Sequence, residues 1–183
     1  MRQIMARNIL LYIPLFIFIR AEYVAKKITR DFSMKLYLVR HGEAGTHNTD
    51  AQRPLTNTGT AQVERLAEHF VQIAAKPLHI YHSGLLRAQQ TAEIIAHKLD
   101  VEDIHKIAHL HSGDLVFPIR DKIDGWREDT VLVGHMPYMG VLLDNLMDKE
   151  MLISFGTATG VCLQRQVEDW AIEWVFHGAN KVV

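Results

Sequence analysis

Leu36-Tyr37-Leu38-Val39-Arg40-His41-Gly42-Glu43-Ala44 reads as an apolar strand that runs straight into an arginine and a histidine. An uninterrupted apolar run of this kind fits a strand covered on both faces, the habit of parallel sheets. Thr130-Val131-Leu132-Val133-Gly134-His135, followed by Met136-Pro137, repeats the arrangement. Ligands of open α/β sheets bind at the carboxyl ends of the strands, so Arg40, His41 and His135 are expected at one sheet edge.

Helical patterns lie between and beyond these strands. Val63, Leu66, Ala67, Phe70, Ile73 and Ala74 recur at helical spacing behind Thr56-Asn57-Thr58-Gly59, which offers several N-cap residues. Pro77 is expected to stop that helix. A short strand over about Leu78–His82 and a helix from about Leu85 to Leu99 follow, with Leu85, Ala88, Ala92, Ile95 and Leu99 on one face. Arg87 falls in the first turn of that helix and leans back toward the strand ends, since helical side chains point toward the N-terminus. Pro137 suits the first position of a helix reaching about Met147. Two last strands are expected at Gly160–Gln164 and Trp170–Phe176. The stretch from Asp100 to Glu128 carries no clear pattern and is too short for a substantial cap. Alternating strands and helices imply βαβ units. The expected fold is therefore a three-layer α/β/α domain with a mostly parallel central sheet.

The chain has 183 residues, 20 Lys plus Arg against 21 Asp plus Glu, and a single cysteine, Cys162. That length suits one domain and a tail. Balanced charge argues against nucleic-acid binding, which leaves a basic face. One cysteine excludes an internal disulfide and fits a reducing, cytoplasmic setting. Residues 1–33 differ from the rest: an apolar run over residues 9–19 stands between basic residues. It falls short of the about 20 apolar residues that a spanning helix needs, and Arg20 stands where an export signal wants small residues. We read Met34 as the start of the domain of residues 34–183, and residues 1–33 as an extension from an upstream start. An apolar membrane anchor through residues 9–19 and an atypical export signal are the other readings.

Neutral imidazole is a competent nucleophile at pH 7, with an ordinary pKa of about 6.5. Phosphoryl transfer otherwise needs donors around the equatorial oxygens, and guanidinium forks fit them well. Arg40, Arg53 and Arg87 can supply such donors around His41 without a metal, and His135 can add one more. Arg87 also lies at a helix start, where backbone N–H groups favour anions. His109 with His111, and His79 with His82, could pair as metal ligands, but no cysteine cluster or carboxylate-rich loop accompanies them, so no metal site is expected.

In these stretches the chain resembles the histidine phosphatase superfamily, and within it the small bacterial SixA-type phosphohistidine phosphatases. The resemblance rests on Leu38-Val39-Arg40-His41-Gly42-Glu43-Ala44, on Arg53-Pro54-Leu55-Thr56 with Gly59, and on Ser83-x-Leu85-Leu86-Arg87-Ala88-x-Gln90-Thr91-Ala92. Gly113-Asp114, Val133-Gly134-His135-x-Pro137 and Thr157 complete it. It implies a phosphoglycerate-mutase-like fold without a large cap and His41 as the phosphorylated nucleophile. Arg40, Arg87 and His135 would form the phosphate pocket, with Arg53 and Thr157 as further substrate-binding residues. It implies no cofactor and a histidine-phosphorylated phosphotransfer protein as substrate, in signal transduction. A small-molecule phosphomonoesterase with the same residues is the alternative, and a non-catalytic module that binds phosphoproteins is the rival from another class. Gly84 and Ser112 stand where the family commonly has proline. The Leu-x-Glu glutamate that serves as acid in many relatives is missing from His109-Leu110-His111-Ser112-Gly113-Asp114. Asp50, and alternatively Glu43, are therefore the candidate proton donors.

Overall fold

The computed structural model describes residues 34–167 and 169–179, so the expectations for residues 1–33 lie outside the described residues. Six strands form one sheet: β1 (Lys35–Arg40), β2 (His79–His82), β3 (Ile104–Lys106), β4 (Thr130–Gly134), β5 (Thr159–Arg165) and β6 (Trp170–His177). The order across the sheet is β3-β2-β4-β1-β5-β6. The first four of these run parallel to one another, and β5 and β6 add an antiparallel hairpin on the other side of β1.

Alternation along the strands divides the core into two layers. Tyr37 and Val39 of β1, with Val131 and Val133 of β4, face α1 (Asn57–Gln72) and α2 (Leu86–Leu99). Leu36, Leu38 and Leu132 face the opposite way, into a cluster with α3 (Phe117–Gly125) and α4 (Tyr138–Met147). The strands are thus covered on both faces, which is why they carry unbroken apolar runs. The three-layer α/β/α expectation stands, and the described residues include no large cap. Among the described residues, no helix is long and apolar enough to cross a membrane.

Two readings need correction. α1 does not run on to Pro77: it ends at Gln72, and Ala74 turns the chain out of the helix at φ +52°. The unreadable stretch holds β3 and α3, an edge strand of three residues and a helix of nine. Both are used in the sheet and its covering layer.

Behind β1, the chain turns at Gly42 directly against the first turn of α1. An added methyl at Gly42 would come 2.6 Å from the Gly59 carbonyl oxygen and 2.8 Å from a Val63 methyl. One at Gly59 would collide with the Glu43 carbonyl. Thr56 caps α1 by accepting from the Gly59 N–H, and its hydroxyl donates to Glu43 at 2.7 Å. Thr56 N–H in turn donates to the Glu43 carbonyl at 3.0 Å. The helix start is thereby pressed onto the Arg-His-Gly turn.

Alanine for glycine inside a helix usually stabilises by up to about 1 kcal/mol. Gly59→Ala should reverse that sign, because the close approach leaves no room for a methyl, and overpacking typically costs about 1–3 kcal/mol. Urea unfolding of Gly59→Ala measures it, and a gain in stability would contradict this packing.

Candidate active site

The register of β1 on β4 pairs Arg40 with Gly134. The next residue on each strand is a histidine, so His41 and His135 emerge side by side with ring centroids 4.9 Å apart. The His41 N–H donates to the Gly134 carbonyl at 3.2 Å, and its own carbonyl accepts from Ala158 N–H at 3.1 Å. Both rings are buried.

The tautomer of His41 follows from its partners. Nδ1 lies 2.6 Å from the Gly42 carbonyl, which can only accept, so Nδ1 carries the proton. Nε2 then holds the lone pair, and Arg87 donates to it through Nε at 3.3 Å. Burial, together with the positive charges of Arg87, Arg40 and Arg53, pushes the His41 pKa down to about 4. His135 is pushed down to about 3, chiefly by burial and by its neighbour His41. Both imidazoles are therefore neutral near pH 7, and the lone pair on His41 Nε2 is free of a proton.

Three arginines surround this pair. Arg87 projects from the first turn of α2 and is held through Thr91, whose hydroxyl donates to the Arg87 carbonyl and accepts from Gly42 N–H. Its terminal nitrogens donate to the Asp50 carbonyl at 2.8 Å and to the Asp50 carboxylate at 3.0 Å. Arg53 donates to the other Asp50 oxygen at 3.1 Å and to the Gly45 carbonyl at 2.8 Å. Arg40 donates to the Phe155 carbonyl at 2.7 Å, on the turn that also carries Thr157. Thr157 itself is half-buried between Phe155 and Ala158, each of which bonds to Arg40 or His41.

Asp50 is poorly placed as a proton donor in this state. Its hydrogen bonds to Arg87 and Arg53 hold its carboxyl below the usual carboxylate range, so it is ionised and occupies the guanidinium forks. Glu43 is exposed and engaged by Thr56; it reaches α1 through its side chain and its backbone, not Arg40.

Sequence reasoning overlooked two partners of His135. Ser83 Oγ lies 2.6 Å from its Nε2, and His111 stands 6.3 Å away, ring to ring. Ser83 was legible as a polar residue between β2 and α2, at the same sheet edge. His111 reads in the sequence as a possible metal ligand beside His109. Among the described residues, no three metal-ligating side chains converge. His79 pairs instead with Asp103, and His82 accepts from Gly84 N–H. Two buried polar atoms of the site, His135 Nδ1 and Arg40 Nε, have no hydrogen-bond partner among the described residues.

Residues 36–115 match the family model of the histidine phosphatase superfamily (branch 1). Over that stretch, which is under half of its length, the chain is similar to the histidine phosphatase superfamily. A phosphohistidine phosphatase SixA homolog of Haemophilus influenzae is 29% identical over 142 residues, covering 69% of this chain and 85% of that one. An uncharacterized protein of Picosynechococcus is 41% identical over 66 residues, and the match spans 34% of this chain and 40% of that protein. The solved structure of the protein histidine phosphatase SixA complexed with tungstate superposes with a TM-score of 0.74 at 21% identity. That superposition covers 80% of this chain and 99% of that one, and it carries the fold alone.

The depressed pKa values give a stability signature. Above about pH 6.5 neither the folded nor the unfolded chain protonates these two imidazoles, so they add no pH dependence. Below it the unfolded chain takes up protons that the buried rings refuse until about pH 4 and about pH 3. Their contribution to stability is thus complete above pH 6.5 and is lost as pH falls toward the folded values. Urea unfolding between pH 7 and 4 should show a shallower decline in His135→Asn than in the unaltered protein. A steeper one would mean that His135 is charged in the fold.

Proposed function

We propose that this chain is a metal-independent phosphohistidine protein phosphatase, which removes phosphate from a histidine-phosphorylated phosphotransfer protein through a phosphohistidine intermediate on His41. The observation that carries the reading is the neutral His41 with its lone pair on Nε2, buried beside unpartnered donors. An unsatisfied buried donor costs about 1–3 kcal/mol, and a phosphoryl oxygen is the acceptor that His135 and Arg40 lack. Ser83 Oγ accepts from Leu85 N–H at 3.3 Å. Its own hydrogen is then free for His135 Nε2, which leaves the imidazole proton on the orphaned Nδ1.

In the first step His41 Nε2 attacks phosphorus as Arg87 Nε turns from the imidazole to a phosphoryl oxygen, and the bond from phosphorus to the leaving nitrogen breaks. In the second, water attacks the phosphorylated His41, the Nε2–P bond breaks and phosphate leaves. Arg40, Arg53 and Arg87 offset the charge on the equatorial oxygens, the work that a metal does in other phosphatases. Phosphate entering the forks of Arg87 and Arg53 displaces the Asp50 carboxylate.

Two features favour a protein substrate. Among the described residues no large cap covers the strand ends, which leaves His41 open to a phosphorylated side chain on a folded protein. A leaving imidazole, itself a base of near-neutral pKa, also needs less acid assistance than an alkoxide. The Haemophilus influenzae relative supports the same substrate class by its name.

Brief exposure to a phosphohistidine protein carrying labelled phosphate should leave an acid-labile, alkali-stable label on His41, absent from His41→Ala. A stable binding partner with no label and no turnover would support the non-catalytic rival. Activity should survive exhaustive chelation. In one preparation, kcat/KM for the phosphohistidine protein should exceed that for serine phosphate, sugar phosphates and phosphoglycerate. A tenfold preference for any of these would move the protein to the small-molecule phosphatases.

Arg87→Lys retains the charge but loses the fork that reaches His41 and Asp50 together. Its kcat/KM should fall at least about tenfold, or about 1.4 kcal/mol in transition-state stabilisation. Equal efficiency would mean that Arg87 acts only as a distant charge.

A further inference from the structure

We propose that His111 is the proton donor to the leaving group, an inference that rests on the phosphatase reading of this site. The reaction needs such a donor for any leaving group more basic than a nitrophenolate. The nearby acids are otherwise committed. Asp50 is an ionised carboxylate between two arginines. Glu43 accepts from Thr56, and Asp114 accepts from the His111 N–H at 2.8 Å. Tyr138 is buried, and burial pushes its hydroxyl above the ordinary range. His135 is a neutral ring whose single proton serves the phosphoryl oxygens.

His111 has the complementary properties. It lies on the exposed loop between β3 and α3, where a leaving group attached to a bulky substrate would depart. Its ring neighbours His135, which also neighbours His41, so a phosphoryl group held against His135 has both other histidines close to it. Its Nε2–H donates to the Ser83 carbonyl at 3.2 Å, which fixes the ring and leaves Nδ1 as the atom that gains and gives a proton. The charged and titratable groups facing it are His135 and Asp114.

The proton balance closes. In the first step the bond from phosphorus to the leaving atom breaks, and that atom takes the proton from Nδ1 of the His111 imidazolium as Nε2 of His41 bonds to phosphorus. In the second step neutral His111 takes a proton from the attacking water, the new P–O bond forms and the Nε2–P bond breaks. The residue ends as it began, and no other reactant is required.

The test compares two aryl phosphates that differ in leaving-group basicity, 2,4-dinitrophenyl phosphate and phenyl phosphate, in unaltered protein and in His111→Gln. Glutamine retains an N–H for the Ser83 carbonyl but cannot carry a proton. The expected result is a loss of at least about tenfold in kcat/KM for phenyl phosphate, the low end of what general acids contribute (about 10²–10⁴) relaxed for partial water substitution. The kcat/KM for dinitrophenyl phosphate, which leaves without help, should change by less than about twofold, because kcat/KM does not include the hydrolysis of phosphorylated His41 that both substrates share. Equal loss on both substrates, or none on either, would overturn the assignment while leaving the phosphatase reading intact. If the unaltered protein turns over neither aryl phosphate nor a phosphohistidine protein, the phosphatase reading falls and this inference with it.

Discussion

The register of β1 on β4 is the constraint from which the site follows. Parallel strands in this register place Arg40 beside Gly134, and the residues one step beyond, His41 and His135, then have to be neighbours. A shift of one residue would send one histidine to the opposite face, because side chains alternate along a strand. The two apolar clusters prevent such a shift, since it would move Leu36, Leu38 and Leu132 out of one layer and Tyr37 and Val39 out of the other. Packing on both faces of the sheet therefore determines the distance between two imidazoles at its edge.

That edge is electrostatically expensive. Burial and three nearby guanidinium groups disfavour any added positive charge, and the two histidines respond by staying neutral. The arginines cannot respond in that way, since guanidinium does not lose its proton near neutral pH. Their charge is offset instead by Asp50, which bridges Arg87 and Arg53, and by the carbonyls of Phe155, Gly45 and Asp50. The same low proton affinity that strains the resting site keeps the His41 lone pair available, so the cost to stability and the nucleophilic role proposed for His41 have one origin. In the proposed reaction a phosphoryl dianion would relieve the repulsion among the arginines as it binds.

The sequence made the local parts of this arrangement legible and the long-range parts obscure. β1, β4 and the faces of α1 and α2 were readable because unbroken apolar runs and helical spacing are local signals. β3 escaped because three residues on a sheet edge, two of them exposed, leave almost no apolar pattern. The end of α1 was misplaced because a left-handed Ala74 gives no sequence signal, whereas Pro77 gives a loud one. The bond from Arg40 to the Phe155 carbonyl joins residues 115 apart in the chain, and that from Ser83 to His135 joins residues 52 apart. No spacing rule reports such pairs. Asp50 shows the limit most clearly: three residues before Arg53 it could be a donor or a counterion, and only its two arginine partners decide for the counterion in this state.

Ser83 joins two loops of the site. Its hydroxyl lies against His135 and its carbonyl accepts from His111. The next residue, Gly84, sits at φ +89° with the stem of Lys106 packed where a side chain would be. Proline, common in the family at this position, is locked near φ −65° and cannot adopt that backbone. Glycine here is thus a different loop conformation and not merely a looser version of the same one. A loop bent in this way still presents Ser83 to His135, and it also offers a carbonyl within reach of an imidazole on the neighbouring loop. The loop that Gly84 shapes thus carries the carbonyl that accepts from the His111 ring.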